Sequence, residues 1–307
     1  VSAPFNAFGR WLSIIGIGED GVAGLSSAAL TLIAQASLVV GGKRHFDLLG
    51  DRVRGERMAW PSPMQDAFPR IFALRGSPVA VVATGDPFFY GVGSVLAQQA
   101  PAHEMLCLPG ISAFSLAANR LGWALQDCAL VTLHGRALER VVPALQPNRR
   151  ILALSWDGTT PRLLAELLVR HGFGETRMIV CEAMGGPHER LRTALAREID
   201  FDEIAPLNLV ALEIPAVPGA RVIPLAPGLP DDWFEHDGQL TRREIRAVTV
   251  SALGPRQGEL LWDIGAGSGS VGIEWMLTDP ANRTIAIERN ALRAGRIARN
   301  AASLGVP

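Results

Sequence analysis

Two stretches of this chain run from a short apolar segment into glycines at G-x-G-x-x-G spacing. Gly16, Gly18 and Gly21 follow residues 12–15, and Gly267, Gly269 and Gly272 follow residues 259–264. A strand that opens into a glycine loop and then a helix begins a βαβ unit, which commits the chain to an α/β fold with largely parallel sheet. The text between the two loops agrees. Strand-like runs at 38–40, 79–83, 105–108, 130–133, 151–154, 178–181 and 207–214 alternate with helix-period segments at 26–35, 64–74, 92–99, 113–121 and 161–171. Turn residues follow several of these strands, as in TGDP, LPG, HGR and WDG. Ligands in open α/β sheets bind beyond the carboxyl ends of the strands, so those loops are where function is sought.

Spacing alone does not name the ligand. A nicotinamide site also needs an acid at the end of the second strand to hold the ribose hydroxyls. After the first loop that strand ends at Val39-Val40 and runs into Gly41-Gly42-Lys43, with no carboxylate. After the second loop, Glu288 stands 19 residues beyond Gly269, and Asp263 lies two residues before Gly265. An NAD-dependent oxidoreductase using Gly267 to Gly272 therefore stays open as an alternative for the second loop.

Composition narrows the class. The 307 residues are 48% hydrophobic and 19% charged, enough for a sizeable core, and the net charge of −1 gives no overall pull towards nucleic acid or an anionic membrane. Lys43 is the only lysine beside 28 arginines, so a bound anion meets guanidinium forks. Cys107, Cys128 and Cys181 are too few and too scattered for a disulfide framework or a zinc site, and no metal is expected. No segment has the length or flanks of a membrane span or signal peptide, which points to a cytoplasmic protein. Residues 215–230 hold five prolines and two glycines and read as an inter-domain linker, with an edge strand at 221–224 the alternative for its middle. Beyond it TRREIRAVTVSAL reads as a helix with Thr241 as N-cap and Glu244 completing a capping box. The expected organisation is residues 1–214, a Pro-rich linker over 215–232, and residues 233–307 as the opening, incomplete part of a second α/β domain.

The second loop, DIGAGSG, resembles motif I of the Rossmann-like S-adenosylmethionine methyltransferases, with Glu288 as the ribose-binding acid. Within residues 11–214, IGIGEDG, ASLVV, VVATGDPFFYG, LPGISAFSLAANRLG, LHGR and EAMGGPHERL occur in that order and resemble the tetrapyrrole methylase family. One departure is Glu19, where the family commonly has proline. VVGGKRHFDLL, LHGR and HDGQLTRREIRA further resemble the bifunctional members in which a second methyltransferase domain follows the first.

The resemblance implies a tetrapyrrole methylase fold, two α/β subdomains with a cofactor cleft between them, followed by a truncated Rossmann-like unit. It implies S-adenosylmethionine-dependent C-methylation of a precorrin in cobalamin biosynthesis, with S-adenosylhomocysteine as product. The intact bifunctional enzyme also decarboxylates an acetate side chain, and with its second half incomplete this chain is expected to retain at most the first methylation. Methylation at another ring position is the nearest rival. Carried over residue by residue, cofactor contacts fall at Asp86, Phe89, Ser112, Ala113, Trp156 and Ala183. In the second unit they fall at Thr241, Gly265, Ala266, Gly267, Ser268, Gly269 and Glu288. Each has a plainer reading: Asp86 can close a turn, Ser112 and Thr241 can cap helices, and Trp156 can be a core aromatic. The substrate's many carboxylates suggest Lys43, Arg44, His134 and Arg136 as its contacts. The expected partner is that anionic tetrapyrrole, with no nucleic acid and no membrane, in a homo-oligomer. No catalytic base is named by the residues.

Overall fold

The computed structural model describes residues 10–307 as two compact units. The first comprises the chain up to Leu125 with Cys181–Leu191 and Leu207–Leu209; the second comprises Gln126–Val180, Arg192–Pro206 and Val210–Pro307. In chain order the first unit contains β1 (Leu12–Ile17), α1 (Ser27–Gln35), β2 (Leu38–Gly41), α2 (Lys43–Leu49), β3 (Glu56–Ala59), α3 (Phe68–Ala73), β4 (Val79–Thr84), α4 (Val92–Leu96), β5 (Met105–Leu108) and α5 (Ala113–Leu121).

These five strands form one sheet in the order β3-β2-β4-β1-β5, with every pair parallel. The sheet is covered on both faces, as parallel sheets require. Alternate residues of β4 show it: Val79 and Val81 join a core with Trp11, Leu12, Ile14 and Phe68, while Ala80 and Val82 join another with Ile15, Ile17 and Ile33. Helix ends follow local chemistry. The Ser26 and Ser112 hydroxyls accept from the amides of Ala29 (3.2 Å) and Ser115 (3.1 Å), and Gly122 ends α5 in the left-handed region at φ 65°.

The chain continues through β6 (Cys128–Thr132), β7 (Arg150–Leu154), α6 (Thr160–Arg170), β8 (Arg177–Glu182), β9 (Arg190–Leu195) and β10 (Asn208–Glu213). These strands form a second sheet in the order β6-β7-β10-β8-β9. Then follow α7 (Arg243–Leu253), β11 (Leu260–Ile264), α8 (Ser270–Thr278), β12 (Arg283–Ile287) and α9 (Ala291–Ser303), with β11 and β12 paired in parallel. In the second unit, Ile273, Ala301 and Leu304 from this last stretch share one apolar core with Val141, Leu145, Leu164, Leu168 and Leu212. The outer face of the β11–β12 pair is uncovered, with Trp262 61% and Ile264 76% exposed.

Several expectations are corrected. Strands β3 and β9 and helix α2 were not anticipated, and the helix expected over 64–74 is a 3-10 turn (Met64–Ala67) followed by the short α3. Polar β3 and β9 lack the apolar runs that mark buried strands, because each is a strand at its sheet's edge. The middle of the Pro-rich stretch is not a strand. It is irregular chain held by the Gln146 amide on the Ile223 carbonyl (2.8 Å) and by Arg221 lying over the Trp233 ring (4.7 Å). Thr241 is not the N-cap of α7. Arg242 occupies that position without a side-chain cap, and the Thr241 carbonyl is taken by buried Arg246.

Candidate functional site

In the first unit the loops at the carboxyl ends of β1, β4 and β5 are drawn together by glycine. A side chain on Gly16 would collide with the Gly85 carbonyl and the Gly110 amide. Backbone bonds tie the three loops: Gly85 N–H donates to Ile17 and Gly110 N–H to Gly85, each at 3.0 Å. Gly16 therefore serves a close approach of three strand ends, not the pyrophosphate that its spacing suggested.

Four of the candidate cofactor residues lie around this junction. Asp86 is half-buried, and its Oδ1 accepts from the Phe88 amide at 2.9 Å, so it does close its own turn. Phe89 stacks on Tyr90 with ring centroids 5.1 Å apart and lies tilted against Phe114 at 5.0 Å. A Cβ on Gly85 would stand 3.4 Å from the Ser112 Cα, which places the amino end of α5, Ser112 and Ala113, beside the Asp86 loop. Ser112 Oγ caps α5 as the plainer reading held, and it also meets the Ser115 hydroxyl at 3.0 Å.

Ala183 belongs to the same unit and is a backbone outlier, a buried alanine at φ 44°. Such a conformation costs an L-residue roughly 1–2 kcal/mol and persists only where the surroundings impose it. Here they do. Arg120 pairs with Glu189, Glu189 accepts from the Gly185 amide at 2.7 Å, and Gly185 packs against Leu116 of α5. Buried Glu182, the preceding residue, is held by Arg190 at 2.8 Å. Trp156 lies in the other unit after β7, partly buried against that unit's core, with its amide on the Thr160 hydroxyl at 3.2 Å.

Of the four substrate candidates, Arg44 is the most engaged. It pairs with Glu19 and donates to the Thr84 hydroxyl at 2.6 Å, while Lys43 is exposed at the start of α2. His45 also reaches Thr84, at 3.0 Å through Nε2, and its Nδ1 accepts from the Gly42 amide. Burial, then the Arg44 charge, pushes the imidazole down to about 4, so His45 is neutral at neutral pH and only a weak base. Glu19, where the family commonly has proline, thus anchors Arg44 and packs against Gly186. His134 and Arg136 are exposed in the turn after β6.

The second glycine loop keeps its predicted geometry. Gly265, Gly267 and Gly269 all have left-handed φ, at 80°, 59° and 77°. Nothing lies within 4 Å of where side chains on Gly265 and Gly267 would stand, so the loop leaves a cradle open over the amino end of α8. Gly272 serves packing: a Cβ there would be 2.6 Å from Thr284. Glu288 accepts from the Gly267 amide at 2.9 Å and the Asn290 amide at 2.8 Å, and these bonds hold its carboxyl below the usual range. Burial pushes the carboxyl of half-buried Asp263 up against a weaker opposing pull from the Gly272 amide, and its Oδ2 is buried against Gly272. An open glycine cradle after β11, with an acid just past the end of β12, fits a ligand bearing ribose hydroxyls. Ser268 is buried and Ala266 half-buried within the loop. Thr241 lends its carbonyl to Arg246 and lies two residues before α7.

Sequence reasoning missed the residue that joins these parts. Asn300, buried on α9, donates to the carbonyls of Ser268 (2.9 Å) and Glu235 (3.1 Å) and accepts from the Glu235 amide (2.8 Å). Arg293 and Arg296 on the same helix grip Asp237 at 2.8 and 2.9 Å. Nothing in the local text around Asn300 signals this, because its partners are 32 and 65 positions away.

Comparison with known proteins agrees with this geometry. The tetrapyrrole (corrin/porphyrin) methylases match residues 12–200, and the precorrin methyltransferase domain matches residues 232–307. A precorrin-6Y C(5,15)-methyltransferase (decarboxylating) of Sinorhizobium sp is 55% identical over 297 residues, 97% of this chain and 72% of that protein. A cobalt-precorrin-7 C(5)-methyltransferase of Salmonella typhimurium is 31% identical over 194 residues, 62% of this chain and 94% of its own length. The crystal structure of a cobalamin-biosynthesis precorrin-6Y methylase from Archaeoglobus fulgidus is 26% identical, with a TM-score of 0.51, covering 66% of this chain and 97% of that one. Two strand-end loop clusters of the expected kind, in a chain matched along nearly its whole length, lead to one conclusion: it belongs to the tetrapyrrole methylase family, among the precorrin-6Y C(5,15)-methyltransferases (decarboxylating).

Proposed function

We propose that this chain transfers methyl groups from S-adenosylmethionine to carbon atoms of a precorrin in cobalamin biosynthesis, as its relatives' names describe for them. The observation that carries the reading is the open left-handed cradle at Gly265 and Gly267, with Asp263 two residues ahead of it in β11 and Glu288 fixed at the next strand end. The dinucleotide alternative shares the glycines and Glu288 but makes no use of Asp263.

The cofactor supplies a methyl group on a sulfonium, open to in-line displacement by a nucleophilic ring carbon. What the protein contributes is orientation and exclusion of water. In the methylase half, Asp86, Ser112, Ala113 and Ala183 would bind it, with Phe89, Tyr90 and Phe114 giving an apolar wall. Trp156 is kept as a further candidate there. In the C-terminal stretch, Asp263, Glu288 and the Gly265 to Gly269 backbone would hold it, and Asn300 fixes the loop. Thr241 is retained as a candidate through its place ahead of α7.

Residues 1–214 as the methylase domain, 215–232 as linker and 233–307 as the start of a second methyltransferase domain are supported by the matched ranges. We also infer a cytoplasmic homo-oligomer; no helix among the described residues is long and apolar enough to cross a membrane.

Calorimetric titration with S-adenosylhomocysteine tests the assignment. Asp86→Ala and Glu288→Ala are each expected to weaken one binding event by roughly 10- to 100-fold, the loss that follows removal of a charged hydrogen-bonding group. Unchanged binding in both variants would remove the site assignment.

A further inference from the structure

Between buried Phe234 and the first residue of α7 the chain forms no helix or strand, and residues 235–239 are all exposed. The stretch is nevertheless fastened along its length. The Glu235 amide and carbonyl are both held by Asn300, and its carboxylate meets Arg299 at 2.8 Å. Asp237 Oδ2 is shared by Arg293 Nε (2.8 Å) and Arg296 Nη1 (2.9 Å), while its Oδ1 accepts from the Gln239 amide at 3.3 Å. Leu240 packs on the core, and the Thr241 carbonyl is taken by Arg246.

Helix α9, which holds this strap, also supports the second glycine loop. One nitrogen, Asn300 Nδ2, donates to the carbonyls of Glu235 and Ser268 together, so strap and loop lie side by side. Ile297 fills the space beside Gly269, where a Cβ would stand 2.7 Å from its Cγ2. From Asn300 back to Arg293 the anchors span roughly 10 Å of α9 at helix rise. The strap therefore runs from Ser268 towards the end of α9 where the Asn290 amide meets Glu288. Of residues 235–240 only Leu240 packs into the core, so three arginines are more anchorage than burial of this stretch requires. Two guanidinium groups converging on one oxygen also repel each other, and the Asp237 charge is what permits their approach.

We propose that residues 235–241 form a strap bordering the second glycine cradle, and that Asp237, through Arg293 and Arg296, is the positioning residue that keeps it seated when a ligand occupies the cradle. The inference rests on the methyltransferase reading for that ligand. The role of Asp237 is indirect. A seated strap confines the ligand, and by linkage an occupied cradle stabilises the seat by the same factor. Loss of the grip shows as faster departure of the ligand, not slower arrival.

The test is hydrogen–deuterium exchange of the full chain with and without S-adenosylhomocysteine, read over residues 235–241 and 265–269, beside calorimetric titration of the same samples. Saturating ligand is expected to slow exchange in both stretches. Asp237→Asn is expected to speed exchange in the strap and to weaken the Glu288-dependent binding event roughly tenfold. The Asp86-dependent event should stay unchanged, and Asp237→Glu should restore most of the loss. Should Asp237→Asn fail to fold, Arg296→Gln carries the test with a smaller loss, because it leaves the pair with Arg293 in place. A ligand response in 265–269 with none in the strap would overturn the proposal alone. So would equal affinity in the parent, Asp237→Asn and Arg296→Gln chains. No response in either stretch would overturn it together with the methyltransferase reading of the C-terminal stretch.

Discussion

Arg246 Nε and Glu274 Oε1 meet at 2.5 Å with side-chain exposures of 0% and 2%. Glu274 also accepts from the amides of Gly228 (2.6 Å) and Leu229 (2.8 Å), and Arg246 bonds the Leu229 and Thr241 carbonyls and lies 4.7 Å over the Phe234 ring. The pair thus fastens the end of the Pro-rich stretch to α7 and α8. Breaking it from one side strands a buried charge and is expected to cost about 3–5 kcal/mol. Urea unfolding of Arg246→Met and of Glu274→Gln should show that loss. A loss below ~1 kcal/mol in both would mean the fastening is not real.

Gly16→Ala is expected to prevent folding or to lower stability by several kcal/mol, on the order of a severe core clash. The obstacle is backbone on both sides, the Gly85 carbonyl and the Gly110 amide, so no side chain can move aside. Gly267→Ala meets only open space and a φ of 59°, and should lose about 1–2 kcal/mol while cofactor binding suffers more. Thermal unfolding of the two variants side by side checks the contrast; comparable stability would refute it.

Ala183→Gly should stabilise the fold, or leave it unchanged, because glycine accepts φ 44° without the penalty that alanine bears. Ala183→Val should be clearly destabilising. A Gly variant less stable than the parent by more than ~1 kcal/mol would show that the left-handed conformation is wrongly assigned.

His45 gives a pH dependence with a defined sign. Its folded value of about 4 lies below the ordinary 6.5, so the unfolded chain binds the extra proton between them. Its contribution is present above pH 6.5 and is lost as pH falls towards 4, amounting to up to about 3 kcal/mol. His45→Gln should flatten the stability profile over that window, as read by urea midpoints at pH 7.5 and 4.5. An unchanged slope would assign the acid sensitivity to other groups.

The uncovered face of β11 and β12 carries Leu260, Trp262, Ile264, Ile285 and Ile287, all at least 40% exposed. A contiguous apolar sheet face of this kind binds hydrophobic dyes and promotes self-association. Trp262→Glu should reduce both dye fluorescence and light scattering. Identical readings from parent and variant would mean that this face is covered in solution.

The sequence by itself determined the α/β class, the positions of the apolar strands, the helix from Ala113 to Leu121 and the second glycine loop with Glu288, because those features are written in contiguous residues. Period, caps and glycine spacing are local. It also carried the family through motifs, each of which lies within about a dozen residues. Tertiary structure decided what the local text could not. Gly16 turned out to serve strand-end packing, because the Gly85 and Gly110 backbones that crowd it arrive from elsewhere in the chain. Thr241 lost its capping role because α7 begins two residues later, which puts Arg242 at the N-cap. Edge strands β3 and β9 were hidden because half-solvated strands need no apolar run. Asn300 and the Glu19–Arg44–Thr84 cluster are meetings of distant residues, which only the folded chain brings within hydrogen-bond range.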